Sequence, residues 1–596
     1  MGLIADLWED VQFVRRALSL LGTIKRLPPT IEMTAADVLE EQARRTPHAP
    51  AILYEGDTVS YGAFDAAASR YARWAQGLGV KRGDIVGLLM ENEPDYLFAW
   101  AGLAKIGAAT ALINTNQRGP ALAHSLDLAG ARHLVLGSSL AEAFEGAAGE
   151  LKERPTVWTL GPVHQGTEDL AAALAAESAE PVGREARAGM QARELLFYIY
   201  TSGTTGLPKA ARFTHVRFLH AGNAFAIATD MRRADRLYNP LPLYHSAGGV
   251  AAVANVMVRG AGLALARKFS AHGFWDDVVR HRATMFQYIG ELCRYLMNTP
   301  VAENERDHRL RLAVGNGLRP DIWEAFTARF AIPRVVEFYG STEGNVTLFN
   351  TEGKPGAIGR VPPFLKKSFP VRLARYDYDA QDLERGPDGF CIEAAPGEVG
   401  EALGVISSDP RNLFEGYTRK EDTRKKIAEN VFVAGDRYFR TGDLLRQDER
   451  GYFYFVDRVG DTFRWKGENV STAEVARMLG LVPGIREANV YGVAVPGTDG
   501  RAGMAAIAAG EELDIAGLAE RLRERLPRYA VPIFLRLQPQ MEVTGTFKHR
   551  KVELVKEGFD PAAISERLYF LDPGTGGYVP LDAERHRLIV NGAIRL

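Results

Sequence analysis

Short apolar runs alternate with amphipathic helical patterns through the first half of the chain, and this alternation limits the fold more than any other feature. AILY (51–54), DIVGLLM (84–90) and LLFYIY (195–200) have the length and composition of buried strands, and helical patterns lie between them. Strands that alternate with helices form parallel sheets covered by helices on both faces. The sequence therefore predicts an α/β fold. Ligands are expected at the carboxyl ends of the strands, where glycine-rich and hydroxyl-rich breaks occur.

The texture of the sequence changes twice in the second half of the chain. Between Gly356 and Tyr454, short alternating runs are separated by Gly, Pro and Asp, which predicts a small β-barrel or a distorted sheet. The remaining residues combine strand patterns with a helical pattern at 513–527, which predicts a compact α+β region. We therefore expect an amphipathic helix at 1–29, a large domain at 30–457 that holds two parallel-sheet α/β subdomains and the small β-barrel, and a smaller, mobile α+β domain at 458–596.

Charge and cysteine content exclude several classes of protein. The 596 residues include 72 Lys and Arg against 74 Asp and Glu, a net charge of -2, so the chain has no overall basic character that would attract nucleic acid. Cys293 and Cys391 lie far apart and outside any CxxC cluster, which argues against a disulfide framework or a zinc site. The cysteine content therefore favours the reducing cytosol. The near-zero net charge means that any anionic ligand must be bound by charged or polar side chains at its own site.

An amphipathic helix is predicted at residues 3–27, ahead of Pro28 and Pro29. Acidic residues stand where a signal peptide would need a basic start and an apolar core, so no signal peptide is predicted. Such a helix can lie in a membrane interface, pack on its own domain, or pack on a second copy of the chain as a homodimer contact. The helix has apolar positions at helical spacing, cations at its middle and cations at its end: Ile4, Leu7, Trp8, Val11, Val14, Leu18, Leu21 and Ile24, then Arg15 and Arg16, then Lys25 and Arg26.

A second apolar stretch, Ala247–Ala266, approaches the length of a bilayer span. It contains Asn255, Arg259 and several glycines, which are unfavourable in a transmembrane helix. We expect a buried helix followed by a strand, and no transmembrane helix.

The segment YIYTSGTTGLPKAARFTH (198–215) places hydroxyls, two glycines and a lysine directly after a strand. Bare backbone amides and hydroxyls at such a strand end suit phosphate oxygens, and Lys209 adds a positive charge. The segment is not a Walker loop, because Leu207 and Pro208 precede the lysine and Ala210 follows it. A polar turn without a ligand is the alternative for this segment taken alone.

Six motifs occur in order along the chain: YTSGTTGLPK (200–209), LPLYHSAG (241–248), YGSTEG (339–344), YFRTGDL (438–444), DRVGDTFRWKGENVS (457–471) and TGTFKHRK (544–551). Together they resemble the adenylate-forming superfamily of acyl-CoA synthetases, luciferases and peptide-synthetase adenylation domains. The resemblance covers nearly the whole chain from about residue 35. INTNQR (113–118), together with the alanine after Lys209, is similar to the fatty acid transport protein branch, also called very-long-chain acyl-CoA synthetases.

Two positions depart from the wider superfamily pattern. Phe547 stands before the last lysine of the motif set, where glycine is usual, and Gly460 occupies the hinge position, where Asp or Lys is common. Glycine absorbs large backbone changes, so Gly460 suits an enzyme whose small domain rotates between two reaction steps.

The resemblance implies a reaction in which a carboxylate and ATP give acyl-AMP and pyrophosphate, and CoA then gives the thioester and AMP. It implies that ATP, Mg²⁺ and CoA are the cofactors and co-substrates. Glu343, with Thr201, would hold Mg²⁺. Tyr339 would stack on adenine, Asp443 and Arg458 would bind ribose, and Lys466 and Gly467 would form the surface that delivers the thiol. The groups near the phosphates would be Thr201, Ser202, Gly203, Thr204, Thr205, Gly206, Lys209, Gly340, Ser341 and Thr342.

The same resemblance names the catalytic groups. Lys548 would bridge the carboxylate and the α-phosphate, although TFKHRK alone is typical of a basic surface turn. Tyr244 and His245 would wall the acyl site or orient the adenylate, although a lone histidine is often structural. Gly315 and Gly317 would line the carboxylate end of the acyl pocket by allowing close backbone approach.

The sequence predicts an ATP-dependent ligase that joins a long- or very-long-chain fatty acid to CoA. Two alternatives stay open: a membrane-associated protein of fatty acid uptake or binding, and an acyl-AMP ligase that serves a carrier protein. The expected partners are the fatty acid and CoA, with no nucleic acid. The expected place is the cytoplasm, either free or on the inner face of a membrane.

Overall fold

The computed structural model describes residues 3–201, 207–378, 380–466, 468–498, 500–510, 512–541 and 551–596. The chain forms two compact units. One comprises Met1–Pro370, Gly404–Glu429 and Asp436–Phe439, and the other comprises Val371–Leu403, Asn430–Gly435 and Arg440–Leu596. We call them the N-terminal unit and the C-terminal unit.

The helices, in chain order, are α1 Leu3–Arg26, α2 Ala35–Arg45, α3 Tyr61–Gly77, α4 Pro94–Lys105, α5 Gly119–Ala129, α6 Ala141–Ala148, α7 Leu170–Ala175, α8 His215–Ala228, α9 Val253–Arg259, α10 Phe274–Arg280, α11 Gly290–Met297, α12 Pro320–Arg329, α13 Lys420–Arg424, α14 Thr472–Gly480, α15 Ile515–Arg523, α16 Val552–Glu557 and α17 Ala583–Val590.

The strands are β1 Pro50–Tyr54, β2 Asp57–Ser60, β3 Ile85–Leu89, β4 Ala109–Leu112, β5 His133–Gly137, β6 Thr156–Leu160, β7 Glu168–Asp169, β8 Leu195–Thr201, β9 Lys209–Thr214, β10 Arg236–Asn239, β11 Gly262–Leu265, β12 Met285–Ile289, β13 Leu312–Asn316, β14 Val335–Gly340, β15 Thr347–Asn350, β16 Gly359–Arg360, β17 Val371–Asp377, β18 Asp382–Leu383, β19 Val399–Val405, β20 Ile427–Glu429, β21 Arg437–Gln447, β22 Tyr452–Arg458, β23 Phe463–Trp465, β24 Glu468–Val470, β25 Ile485–Val493, β26 Ala502–Ala509, β27 Phe534–Gln538, β28 Arg567–Leu571 and β29 Tyr578–Pro580.

The N-terminal unit contains two sheets that are parallel except at their edges. The first has the order β7-β6-β5-β3-β4-β8-β9, in which only β9 is antiparallel to its neighbour. The second has the order β15-β14-β13-β12-β10-β11-β1-β2, in which the edge strands β15 and β2 are antiparallel. The α/β fold expected from the alternation of strands and helices is confirmed.

Local sequence explains where the elements of this unit begin and end. Thr34 and Asp37 form a reciprocal capping box at the start of α2, in which each side chain accepts from the other residue's backbone amide. Gly260, with φ +66°, ends α9 in the left-handed conformation that glycine adopts without strain. The apolar stretch at 247–266 is therefore divided into a helical part and the buried strand β11, as predicted.

The C-terminal unit is built mainly from antiparallel strands. One sheet has the order β25-β26-β27-β28-β29, and only the β26–β27 pair is parallel. Nearer the start of the unit, β17 pairs with β18, and β21 pairs with β22, each antiparallel. The α+β character expected for the last part of the chain is present. The domain boundary at 457/458 stays a prediction.

Helix α1 occupies the place of the amphipathic helix expected at 3–27, and one of its faces packs on the N-terminal unit. Arg16 donates to Asp230 and to Thr351, Asp10 accepts from Arg360, and the rings of Phe13 and Phe369 lie 5.6 Å apart. Among the residues that the structure describes, no helix combines the length and the apolarity that crossing a bilayer requires.

Candidate active site

The predicted phosphate loop connects two antiparallel neighbours in the first sheet. The buried strand β8 ends at Thr201, and β9 begins at Lys209, directly opposite Thr201 in the register. Thr201 and Lys209 are therefore brought together at the carboxyl end of β8, where the sequence placed them. Ser202, Gly203, Thr204, Thr205 and Gly206 lie outside the described residues.

Glu343, the predicted magnesium ligand, is held by a tyrosine that the sequence analysis did not select. The hydroxyl of Tyr417 donates to Glu343 Oε1 at 2.8 Å. The Thr201 side chain lies near the same phenol. Tyr417 is thus close to both residues expected to hold Mg²⁺, which come from different parts of the chain.

Lys209 also has a partner that the sequence analysis missed. Its Nζ lies 2.8 Å from Asp422 Oδ1, and the two side chains are 19 % and 15 % exposed. The ammonium also lies 5.6 Å from the centre of the Tyr417 ring, within the range of a cation–π contact. Tyr417 and Asp422 belong to the segment GYTRKEDTRKK (416–426), which contains no motif that sequence reasoning associated with ATP.

The YGSTEG motif begins on β14 and continues into the turn that follows it. Tyr339 and Gly340 end the strand, and Thr342 Oγ1 lies 2.9 Å from Ser246 Oγ. Ser341 Oγ is buried and has no hydrogen-bond partner within the described part of the chain. An unsatisfied buried hydroxyl carries a free-energy penalty of about 1–3 kcal/mol, so this position suits a ligand or a water that accepts or donates.

The LPLYHSAG motif leads into a seven-residue π-helix at Ser246–Ala252, an element that is frequent at functional sites. His245 caps it, because its Nδ1 accepts from the Ala247 amide at 3.3 Å. The hydroxyl of Tyr244 accepts from Asn116 Nδ2 at 2.8 Å, and burial raises the pKa of Tyr244 to about 12. Asn116 lies in INTNQR, a motif that carried the family resemblance but was assigned no function from the sequence. Its presence in that motif could have marked Asn116 as a residue of the site.

Gly315 and Gly317 lie at the carboxyl end of β13, beside a buried carboxyl group. A Cβ on Gly315 would lie 2.3 Å from the Tyr288 carbonyl oxygen, so the close approach that requires glycine is to the neighbouring strand. Glu337 accepts from the Tyr288 hydroxyl at 2.5 Å and from the amides of Gly317 and Leu318 at 2.9 Å each. Burial raises the pKa of Glu337 to about 7. The role of these glycines in the acyl pocket stays a prediction.

In the C-terminal unit, the two residues predicted for ribose stand opposite each other on β21 and β22. Asp443 and Arg458 are register partners, and their side chains lie 3.4 Å apart. A carboxylate beside a guanidinium offers both acceptors and donors, which the hydroxyls of a sugar require. Lys466 lies at the exposed tip of the β23–β24 hairpin with φ +52° and reaches over the Trp465 ring. Gly467 and Lys548 lie outside the described residues.

The donor set around Glu343 fits a magnesium ion. The described ranges contain no cluster of three or more His, Cys, Asp or Glu side chains placed to hold a metal. Mg²⁺ bound beside phosphates needs only one or two protein oxygens and keeps several waters. A carboxylate and a threonine hydroxyl that lie near one tyrosine meet that requirement.

Comparison with known protein families follows the same division of the chain. A family model described as AMP-binding enzyme matches residues 39–368, and a model described as AMP-binding enzyme C-terminal domain matches residues 474–548. The mouse long-chain fatty acid transport protein 1 is 44 % identical over 568 residues, which cover 94 % of this chain and 88 % of the relative. The rat long-chain fatty acid transport protein 2 is 43 % identical and covers 99 % and 96 % of the two chains.

Solved structures share the fold. An anthranilate CoA ligase in complex with anthranoyl-AMP superposes with a TM-score of 0.77 at 20 % identity and covers 90 % of this chain and 98 % of its own. A fatty acyl CoA synthetase from Mycobacterium tuberculosis gives a TM-score of 0.61 at 26 % identity, with 88 % and 98 % covered.

Proposed function

The chain belongs to the AMP-binding enzymes, in their long-chain fatty acid transport protein branch, and on that premise we propose that it ligates a long- or very-long-chain fatty acid to CoA through an acyl-AMP. Family membership and the shared fold of CoA ligases support the reaction class. The proposal adds the chain length of the acid and the residues that act.

The observation that carries the proposal is the group formed by Thr201, Lys209, Glu343 and Tyr417 at the carboxyl ends of β8 and β14. A fatty carboxylate and ATP are both anions, so their approach requires cations and donors where negative charge increases. Lys209 supplies charge at the predicted phosphate loop. Glu343 and Thr201 would hold Mg²⁺, which when bound neutralises charge on the phosphates.

The proposed reaction has two steps. A carboxylate oxygen of the acid bonds to the α-phosphorus of ATP, and the bond between the α-phosphorus and the oxygen that bridges to the β-phosphorus breaks, which releases pyrophosphate. The thiolate of CoA then attacks the acyl carbon, and the acyl–phosphate bond breaks with AMP as the leaving group. We assign Lys548 to the first step, Asp443 and Arg458 to the ribose, and Lys466 and Gly467 to delivery of the thiol in the second.

The test is an assay of the purified chain with ATP, Mg²⁺, CoA and a panel of acids from short to very long, in which AMP and thioester are measured. We expect thioester and AMP in equal amounts, with the highest kcat/KM for acids of long or very long chain. Acyl-AMP that accumulates in the presence of CoA would instead indicate a ligase that serves a carrier protein. A preference for short, aromatic or steroid acids would refute the proposed substrate class.

A second, compatible function is contact with a membrane surface through the outward face of α1. Leu7, Trp8, Val11 and Leu18 on that face are between 49 % and 65 % exposed. Arg15 is exposed on the same helix, and Lys25 and Arg26 are exposed at its end. An apolar stripe with a tryptophan and flanking cations favours the interface of an anionic bilayer. This contact would place the enzyme where its fatty acid substrate dissolves.

Sedimentation with vesicles of phosphatidylcholine and phosphatidylglycerol tests this contact. We expect the wild-type chain to bind. We expect the double variant Leu7→Ser/Trp8→Ser to bind at least about 10-fold more weakly, since it loses two apolar side chains that the bilayer would bury. Val163→Ser/Val301→Ser is the matched control, because it removes exposed apolar side chains elsewhere in the N-terminal unit. Equal binding by all three proteins would refute the contact. Self-association that the α1 variant abolishes would indicate a second copy instead.

A further inference from the structure

Tyr417 follows a backbone segment that is attached to the strand carrying Lys209. The Arg212 amide donates to the Gly416 carbonyl, and the Thr418 amide donates to the Ala210 carbonyl, each at 3.1 Å. Tyr417 itself forms an antiparallel bridge with Ala211. Residues 416–418 thus run along the start of β9, which fixes the tyrosine beside the predicted phosphate loop.

The side chain of Tyr417 lies among three of the residues that we expect to act on the metal and the terminal phosphates. Its hydroxyl donates to Glu343 at 2.8 Å and lies near the Thr201 side chain, and its ring lies 5.6 Å from the ammonium of Lys209. The residue is only 7 % exposed.

The phenol is the proton donor in its hydrogen bond with Glu343, because an ionised carboxylate can only accept. The Tyr417 hydroxyl donates to Oε1 of the Glu343 carboxylate, which leaves Oε2 able to bind another partner.

Asp422 completes the group from the same segment. Its carboxylate lies 2.8 Å from Lys209 Nζ, so an anion occupies a position next to the lysine. Both side chains are largely buried, which strengthens the pair relative to an exposed ion pair. A phosphate that reaches Lys209 therefore competes with Asp422 for the same ammonium.

We infer that Tyr417 is a positioning residue, which orients Glu343 and Thr201 for Mg²⁺ and holds Lys209 beside the phosphates, and that Asp422 is the counter-ion which the triphosphate displaces. The inference rests on the proposed function for the identity of the ligand. It assigns two residues of the 416–426 segment to nucleotide binding rather than to catalysis.

Nucleotide binding by the full chain tests this inference without turnover. The Kd of ATP is measured by calorimetry with Mg²⁺ and with EDTA, for the wild type, Tyr417→Phe and Asp422→Asn. For Y417F we expect affinity with Mg²⁺ to fall about 10-fold, because a hydrogen bond to a charged group is lost, and affinity in EDTA to fall much less. For D422N we expect tighter binding in both conditions, by about 3-fold, because the lysine no longer has a competing anion.

Tyr238→Phe is the matched control, since Tyr238 is a buried tyrosine of the same unit that donates to a carboxylate, Asp277, at 3.1 Å. Y238F should leave both ATP affinities unchanged. Equal losses with and without Mg²⁺ in Y417F, accompanied by a lower Tm, would show a structural role only and overturn the inference. Unchanged ATP affinity in D422N would overturn the role of Asp422. A wild type that binds ATP with Mg²⁺ but forms no thioester would refute the proposed function and leave this inference standing.

Discussion

The two units hold their predicted site residues in opposite ways. In the N-terminal unit, Glu343, Lys209 and Thr342 each have a side-chain partner within 2.9 Å. In the C-terminal unit, Arg458 is half exposed and lies 3.4 Å from its partner, and Lys466 lies on an exposed hairpin tip. The turn before that hairpin contains Gly460 at φ +91°, where a Cβ would meet no atom within 4 Å.

This difference suits the two demands of the proposed two-step ligation. Side chains that must surround a polyanion gain from being fixed before it binds, since less entropy is then lost on binding. Residues that act in successive steps need a backbone position that can change its dihedral angles, and an open glycine turn provides one. The N-terminal unit therefore has the character of a preformed cradle, and the C-terminal unit has the character of an exchangeable face.

The largest effect is expected from Lys548→Ala. If Lys548 bridges the two anions as we propose, its loss should slow acyl-AMP formation by about 1,000-fold, and thioester formation from supplied acyl-AMP should continue. Pyrophosphate exchange and single-turnover thioester formation measure the two steps separately. Lys556→Ala, at an exposed lysine of α16, is the control. Equal losses in both steps would remove Lys548 from the assignment.

The pH dependence of stability tests how tightly the N-terminal unit encloses Glu337. Burial raises its pKa from 4.5 to about 7, so between these values the folded chain keeps a proton that the unfolded chain has released. The stability contributed by that proton is complete below pH 4.5 and is lost as the pH rises to 7. The free energy of unfolding of the wild type, minus that of Glu337→Gln, should fall by up to about 3 kcal/mol across this window. A constant difference would show that the three hydrogen-bond donors keep the carboxylate ionised throughout.

The smallest effect is expected from Gly460→Pro, which tests the exchangeable character of the C-terminal unit. Proline cannot adopt φ +91°, so the turn must change its conformation. Pyrophosphate exchange should persist, and the rate of thioester formation should fall by about 10-fold because the change between the two steps is impeded. Gly497→Pro alters another open glycine of this unit, at φ +76°, and should leave the ratio of the two rates unchanged. Unaltered thioester turnover in G460P would argue against the hinge.

Sequence reasoning was most successful where a local pattern has a single structural consequence. The strand LLFYIY became β8 because a short, apolar, aromatic-rich run needs burial on both faces. The positions of Thr201 and Tyr339 at the carboxyl ends of strands followed from the alternation of strands and helices, and Lys209 at the start of β9 lies opposite Thr201. Asp443 and Arg458 were assigned to one ligand from motifs 15 residues apart, and the register of β21 and β22 brings them together.

Tyr417 and Asp422 were not selected from the sequence, because neither lies in a motif that by itself indicates a chemical function. A tyrosine after a glycine and an aspartate on a short helix are ordinary surface residues in any sequence window. Their importance comes from a backbone bridge to Ala211, which joins residues about 200 positions apart. Gly315 was selected from the sequence for its place in the acyl pocket, which stays a prediction. The structure shows a different reason for glycine at this position, which is the close approach of the Tyr288 carbonyl oxygen.

The sequence by itself determined the α/β class, the order of the motifs and the residues that can carry charge to a phosphate, because periodicity and residue chemistry are properties of short segments. Only the tertiary structure decided that Tyr417 donates to Glu343, that Asp422 pairs with Lys209, and that Glu337 is buried against three donors. Each of these is a contact across a long separation in the chain. Such contacts depend on how sheets and helices pack, which no single window of sequence contains.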